Sequence, residues 1–171
     1  MPNISVKRTA FRGRLPQALG TRMTNDERTT GMGLWTDAHE MLKAAKVVSE
    51  DPDLVGSSPA YYLAGHGIEE AFKAYLRARG SSLKELRCIG HNLEHALGAA
   101  VSHDIESLCT LTSQDKAMVA VLNPYYKAKH FEYRVTGYKS LPQLSDLLGL
   151  GQRVLAAIKP ICEASVGVHR A

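Results

Sequence analysis

Apolar residues recur at helical spacing along most of the chain from Leu34 onward. Leu34, Ala38, Met41, Leu42, Ala45 and Val48 predict a first amphipathic helix, and Asp51-Pro52-Asp53 with Gly56 predicts a loop over 49–57. A second helix is expected from Ser58 as cap, through Pro59 in the first turn, to Gly80 at its end. Gly65 and Gly67 lie inside it and cost about 1 kcal/mol each against alanine, so a neighbouring helix is expected to approach closely there. Ser82-Leu83-Lys84-Glu85 has the capping-box pattern of a short helical turn before Gly90.

Leu93, Ala96, Leu97, Ala100 and Val101 predict a third helix, and Ile105, Leu108 and Leu111 a short helical piece. Met118, Val121, Leu122 and Tyr125 predict a fourth, which Pro124 should break or kink. The pattern lapses over 130–141, where Thr136-Gly137 reads as loop. It resumes at Leu144, Leu147, Leu148, Gly151, Leu155, Ile158 and Cys162, a long last helix expected to bend or end near Pro160. Sustained period-two alternation, repeats and low-complexity runs are absent from the sequence. The fold class expected is all-α, an up-and-down bundle of about five helices.

Length and composition narrow this further. The 171 residues, 44% hydrophobic and 22% charged, fit one ordinary globular domain. The pattern divides the chain into a basic tail over 1–33, a helical domain over 34–165 and a short C-terminal tail over 166–171. No window reaches a membrane helix, and the basic start lacks the apolar run of a secretory signal, so a cytoplasmic protein without a membrane partner is expected. Cys88, Cys109 and Cys162 are odd in number and widely spaced, which predicts reduced, mostly buried thiols rather than disulfides or a zinc cluster.

The net charge of +4 sits entirely in residues 1–33, where six Lys and Arg face two acids. The remaining 138 residues carry 15 bases and 15 acids. The tail reads either as a disordered leader, with Met23 or Met32 as the working start, or as an arm that meets phosphates by counterion release.

Three stretches carry candidate chemistry. Tyr61-Tyr62-Leu63-Ala64 … Ile68-Glu69 … Phe72-Lys73-Ala74-Tyr75-Leu76 precedes a Gly90-His91-Asn92-Leu93 helix start. Leu122-Asn123 … Tyr126 … Tyr133-Arg134 follows. Glu69 and Lys73, one turn apart, read either as a solvated ion pair or, with His66 and His91, as the lining of a polar pocket between helices, where Lys73 could meet a phosphate. His66 equally suits a satisfied core histidine. Tyr125, Tyr126, Lys127, Lys129, His130, Phe131, Tyr133 and Arg134 interleave bases with aromatics. Core packing or a dimer interface accounts for such a mixture, and so does single-stranded nucleic acid or a small ligand.

Together these stretches resemble the HEPN (higher eukaryotes and prokaryotes nucleotide-binding) superfamily, over about residues 34–160. The resemblance implies an up-and-down bundle, frequently a homodimer, that binds or cleaves RNA, binds a nucleotide, or accompanies a nucleotidyltransferase in defence and toxin–antitoxin systems. The RNase members place a His about four to six residues after an Arg. Here Arg87 and His91 have only three residues between them, and His130 precedes Arg134.

The expectation is therefore a binding or interaction module rather than an enzyme, with no catalytic set, cofactor or metal. Its ligand or RNA candidates are His66, Glu69, Lys73, His91, Tyr126, Lys129, Tyr133 and Arg134. The alternative is a metal-independent RNase using His91, His130 and Arg134. His91-Asn92-Leu93-Glu94-His95 also matches the inverted zinc-protease motif in letters, with Glu132 and Glu163 downstream in no ligand context.

Overall fold

The computed structural model describes residues 28–168, apart from Val55 and Arg134 and the side chains of Gly167 and Val168. Those residues form an all-α helical bundle: α1 (Gly31–Glu50), α2 (Ser58–Ala78), α3 (Leu83–Ile89), α4 (Leu93–Ser102), a 3-10 turn (Ile105–Ser107), α5 (Ser113–Lys127) and α6 (Leu144–Val168). The expected basic tail falls mostly outside the described residues. Its last six positions do not, and the final three are helical: α1 begins at Gly31, with Thr30 accepting from the Gly33 N–H as cap.

Helix α2 is the axis of the bundle and packs against each of the other five helices. Its small residues make this possible, because Ala60, Ala64, Gly65, Gly67, Ala71 and Ala74 are all buried. A Cβ at Gly67 would lie 2.7 Å from Leu42 Cγ of α1, and one at Gly151 of α6 would lie 2.6 Å from Leu42 Cδ1. Leu42 thus fills a slot between two helices that only glycine leaves open. Ile68, Phe72, Tyr75 and Leu76 supply the bulk around this axis, with Leu93, Leu122, Leu147 and Ile158 closing over them. At about 1.5–3 kcal/mol for each large side chain removed from water, these residues carry most of the driving force for folding.

Local signals set the helix ends. Ser57, rather than Ser58, caps α2, and Pro59 occupies its first turn. At the other end Ser81 N–H donates to the Leu76 carbonyl and Gly80 N–H to that of Arg77. Gly80 closes this Schellman motif at φ +101°. Both halves of the Ser82–Glu85 capping box are formed.

Neither proline ends its helix, which corrects the break expected at Pro124 and the end expected near Pro160. Helix α5 continues through Pro124 to Lys127, and α6 continues through Pro160 to Val168. A proline deprives the carbonyl four residues earlier of its donor. Those carbonyls belong to Ala120 and Ala156, and both pairs lie on the exposed side of their helices, where water replaces the lost bond. The cysteines also differ from expectation, because only Cys162 is buried. Cys109 is half-buried and Cys88 exposed, and all three are free.

No helix among the described residues is long and apolar enough to cross a membrane.

Candidate functional site

Glu69 lies in the middle of α2 and is completely buried. The reading of Glu69 and Lys73 as a solvated surface pair is therefore corrected. A carboxylate removed from water needs partners, and three side chains supply them. Lys73 Nζ, one turn along the same helix, donates to Oε1. The Tyr126 hydroxyl donates to Oε2 at 2.5 Å. His91 Nδ1 lies 3.1 Å from the same oxygen.

Tyr126 reaches the carboxylate because α5 crosses α2 at a glycine. A Cβ at Gly65 would sit 2.8 Å from Tyr126 Cδ2, so the ring lies directly on the α2 backbone. Leu122, one turn earlier, anchors the same face in the core. His91 arrives from a turn, since Gly90 ends α3 at φ +58° and Asn92 caps α4. That placement also decides the zinc-protease pattern. His91 stands outside α4 while His95 lies within it, and Glu94 accepts a 2.6 Å hydrogen bond from Asn123 Nδ2. The two imidazoles of that motif do not share a helix face.

His66 completes the cluster, with Nδ1 3.0 Å from the Tyr126 hydroxyl and 3.9 Å from Glu69 Oε2. Its ring stacks on Tyr62 at 5.8 Å between centroids. Thus His66, Glu69, Lys73, His91 and Tyr126 converge from α2, the α3–α4 turn and α5. Lys73 is only 12% exposed and also lies 3.8 Å from Glu70, so its charge is already matched by carboxylates rather than held out for a phosphate. The cluster opens to solvent at His91, whose side chain is 47% exposed.

The environment tunes these groups in different directions. Burial by itself would raise the Glu69 pKa, but hydrogen bonds from Lys73, Tyr126 and His91 outweigh it and hold the carboxyl below its ordinary value. Burial lowers His66 despite the nearby Glu69 charge. Burial likewise raises Glu70, which lacks an equal set of donors. Tyr126 is pushed far up, first by burial and then by the adjacent carboxylate, so it remains a proton donor.

Two of the other three candidates lie elsewhere. Lys129 adopts φ +60° just past α5 and pairs with Glu132 at 3.4 Å. Tyr133 is 67% exposed, and Val135 and Tyr138 further along are exposed as well. Arg134 lies outside the described residues. Phe131 and Tyr126 of the same basic–aromatic stretch are buried, so the stretch divides into core rings and solvent-facing rings. Its loop is tied down where the Ser140 N–H donates to the Tyr125 hydroxyl at 3.2 Å.

Two buried polar residues, Asn123 and Asp115, were not among the candidate site residues. Asn123 Oδ1 accepts from the Leu93 N–H at 2.9 Å, fixing the start of α4 beside His91. Asp115 accepts from Arg153 Nη2 at 2.6 Å and forms a capping box with Thr112. The Thr112-x-x-Asp115 spacing ahead of an apolar run was the available signal for the second.

Comparison with protein-family models, with curated proteins and with solved structures found no match for this chain.

Proposed function

We propose that the chain is a HEPN-like helical binding module that engages single-stranded RNA on the surface following α5. The observation that carries this is the pair of solvent-facing rings, Tyr133 and Tyr138, held on a tethered loop among Lys127, Lys129 and Lys139. Bases stack on such rings at about 1–3 kcal/mol each, while lysines follow the phosphates. A cleft of about 460 Å³ beside this loop, at the start of α2, is lined by Ser58, Pro59, His130, Glu132 and Lys139. That end of a helix favours an anion. The up-and-down HEPN arrangement belongs to the same proposal, supported by the resemblance of α2 and of the Gly90–Leu93 turn.

The test is binding of a labelled oligoribonucleotide to the full chain at two salt concentrations. Tyr133→Ala and Tyr138→Ala should each weaken binding by about five-fold or more. Lys129→Ala should weaken it and flatten its salt dependence. Affinity unchanged in all three variants would sink the proposal.

One bond supports a second reading, RNA cleavage with His91 as proton acceptor. When Nδ1–H donates to buried Glu69, Nε2 of the half-exposed ring is left to take a proton. Labelled RNA that stays intact through long incubation with both wild type and His91→Ala would eliminate it.

A further inference from the structure

His66, Glu69 and His91 each bring one ligand atom to a common point, all within 4.8 Å of one another. The donor set is two imidazoles and one carboxylate. With ligand lengths of about 2.0–2.1 Å, a tetrahedral ion holds its ligands about 3.4 Å apart. His91 Nδ1 and His66 Nδ1 lie 3.1 Å and 3.9 Å from Glu69 Oε2, on either side of that spacing, and the three ligand atoms lie within 4.8 Å of one another, so the histidines must draw together to bind one ion. Remaining adjustment falls on His91, which sits in a half-exposed turn rather than within a helix.

The surroundings prepare the carboxylate for this role. Lys73 occupies Oε1 and leaves Oε2 directed at the histidines. Orientation of a ligand by its neighbours is a regular feature of metal sites. Glu69 and Glu70 against Lys73 leave one uncompensated negative charge around the cluster. The Tyr126 hydroxyl lies within hydrogen-bonding distance of both Glu69 and His66 and would turn away from Oε2 to let an ion in.

We propose that His66, Glu69 and His91 form a site for one divalent transition-metal ion. Imidazole nitrogen with carboxylate oxygen suits Zn²⁺ and Co²⁺ rather than Ca²⁺ or Mg²⁺, which take oxygen ligands. Access is from the solvent side of His91. This site is separate from the loop surface proposed for RNA.

The experiment uses the full chain loaded with Zn²⁺ or Co²⁺ alone and passed through metal-free buffer. Metal content and the visible spectrum of the cobalt form are then read. One ion per chain is expected, with the intense cobalt absorption of a four- or five-coordinate site. His66→Ala and His91→Ala should each weaken binding at least about tenfold. His95→Ala removes an exposed histidine outside the cluster and should leave binding unchanged. His91→Gln, of similar volume, repeats the test where a variant loses helical circular dichroism. Less than one ion per chain in the wild type overturns the proposal. So does tight binding retained in any folded His66 or His91 variant, or equal loss in His95→Ala.

Discussion

Two buried carboxylates, Glu69 and Asp115, meet the same cost of desolvation by different means. Asp115 is served mainly from its own turn: Thr112 donates through backbone N–H and hydroxyl, and the partly exposed Arg153 reaches in from α6. Glu69 has one partner on its own helix and two from elements far along the chain. Burial would raise both pKa values, and in both hydrogen bonding reverses the direction. The difference lies in what each ties together. Asp115 caps the start of α5 and clips it to α6, whereas Glu69 joins α2, the α3–α4 turn and α5 in one network. A carboxylate of the second kind should be far more expensive to remove.

The sharpest break of this comparison is Glu69→Ala. It takes from Lys73 and Tyr126 their shortest hydrogen bonds in a buried setting and leaves Glu70 and His66 as their remaining partners. Truncating one partner of a buried ion pair costs about 3–5 kcal/mol. Urea unfolding should give a loss in that range, and Asp115→Ala measured alongside should fall well below it. Equal losses would mean that the network contributes no more than an ordinary helix cap.

These two residues also mark how far the sequence can be read. Ser82 with Glu85, Pro59 and Gly80 announce helix ends because the relevant bonds lie within a few residues of one another. The glycines at 65 and 67 announce close approach because nothing else explains them inside a helix. Glu69 and Lys73 carry no such mark, since an i, i+4 pair looks the same on a solvated face as in a core. Its burial depends on Tyr126, which is 57 residues away along the chain, and on His91, 22 residues away in the α3–α4 turn. The continuation of α6 through Pro160 was hidden for a related reason. Whether a proline ends a helix depends on whether its orphaned carbonyl faces water, and that is a property of the packed bundle.

Removing a single hydroxyl sharpens the contrast. Tyr126→Phe keeps the ring against Gly65 and deletes one donor to Glu69 Oε2. Loss of a hydrogen bond to a charged group predicts about 1.5–3 kcal/mol, read as a lower unfolding midpoint with unchanged m-value. Asp115→Ala comes next, at about 1–2 kcal/mol, because an N-terminal cap interaction and one partly exposed ion pair are lost together. Asp115→Asn should recover part of that, since its side-chain oxygen still accepts from Thr112.

The smallest effect is a pH dependence that isolates Asp115. Its folded pKa lies below the unfolded value because Thr112 and Arg153 favour the ionised form against the opposing effect of burial. Protons therefore bind the unfolded chain more readily. The stabilisation is complete above the ordinary aspartate pKa of about 3.9 and is lost as pH falls through the lower folded value. The stability gap between wild type and Asp115→Asn should accordingly be constant from neutral pH down to about 5 and then shrink as the solution becomes more acidic. Following that gap, rather than the wild type alone, cancels the titration of the other carboxylates, Glu69 included. A gap that stays level into acid would show that Asp115 acts through its shape as a cap, with its charge and its bond to Arg153 contributing nothing.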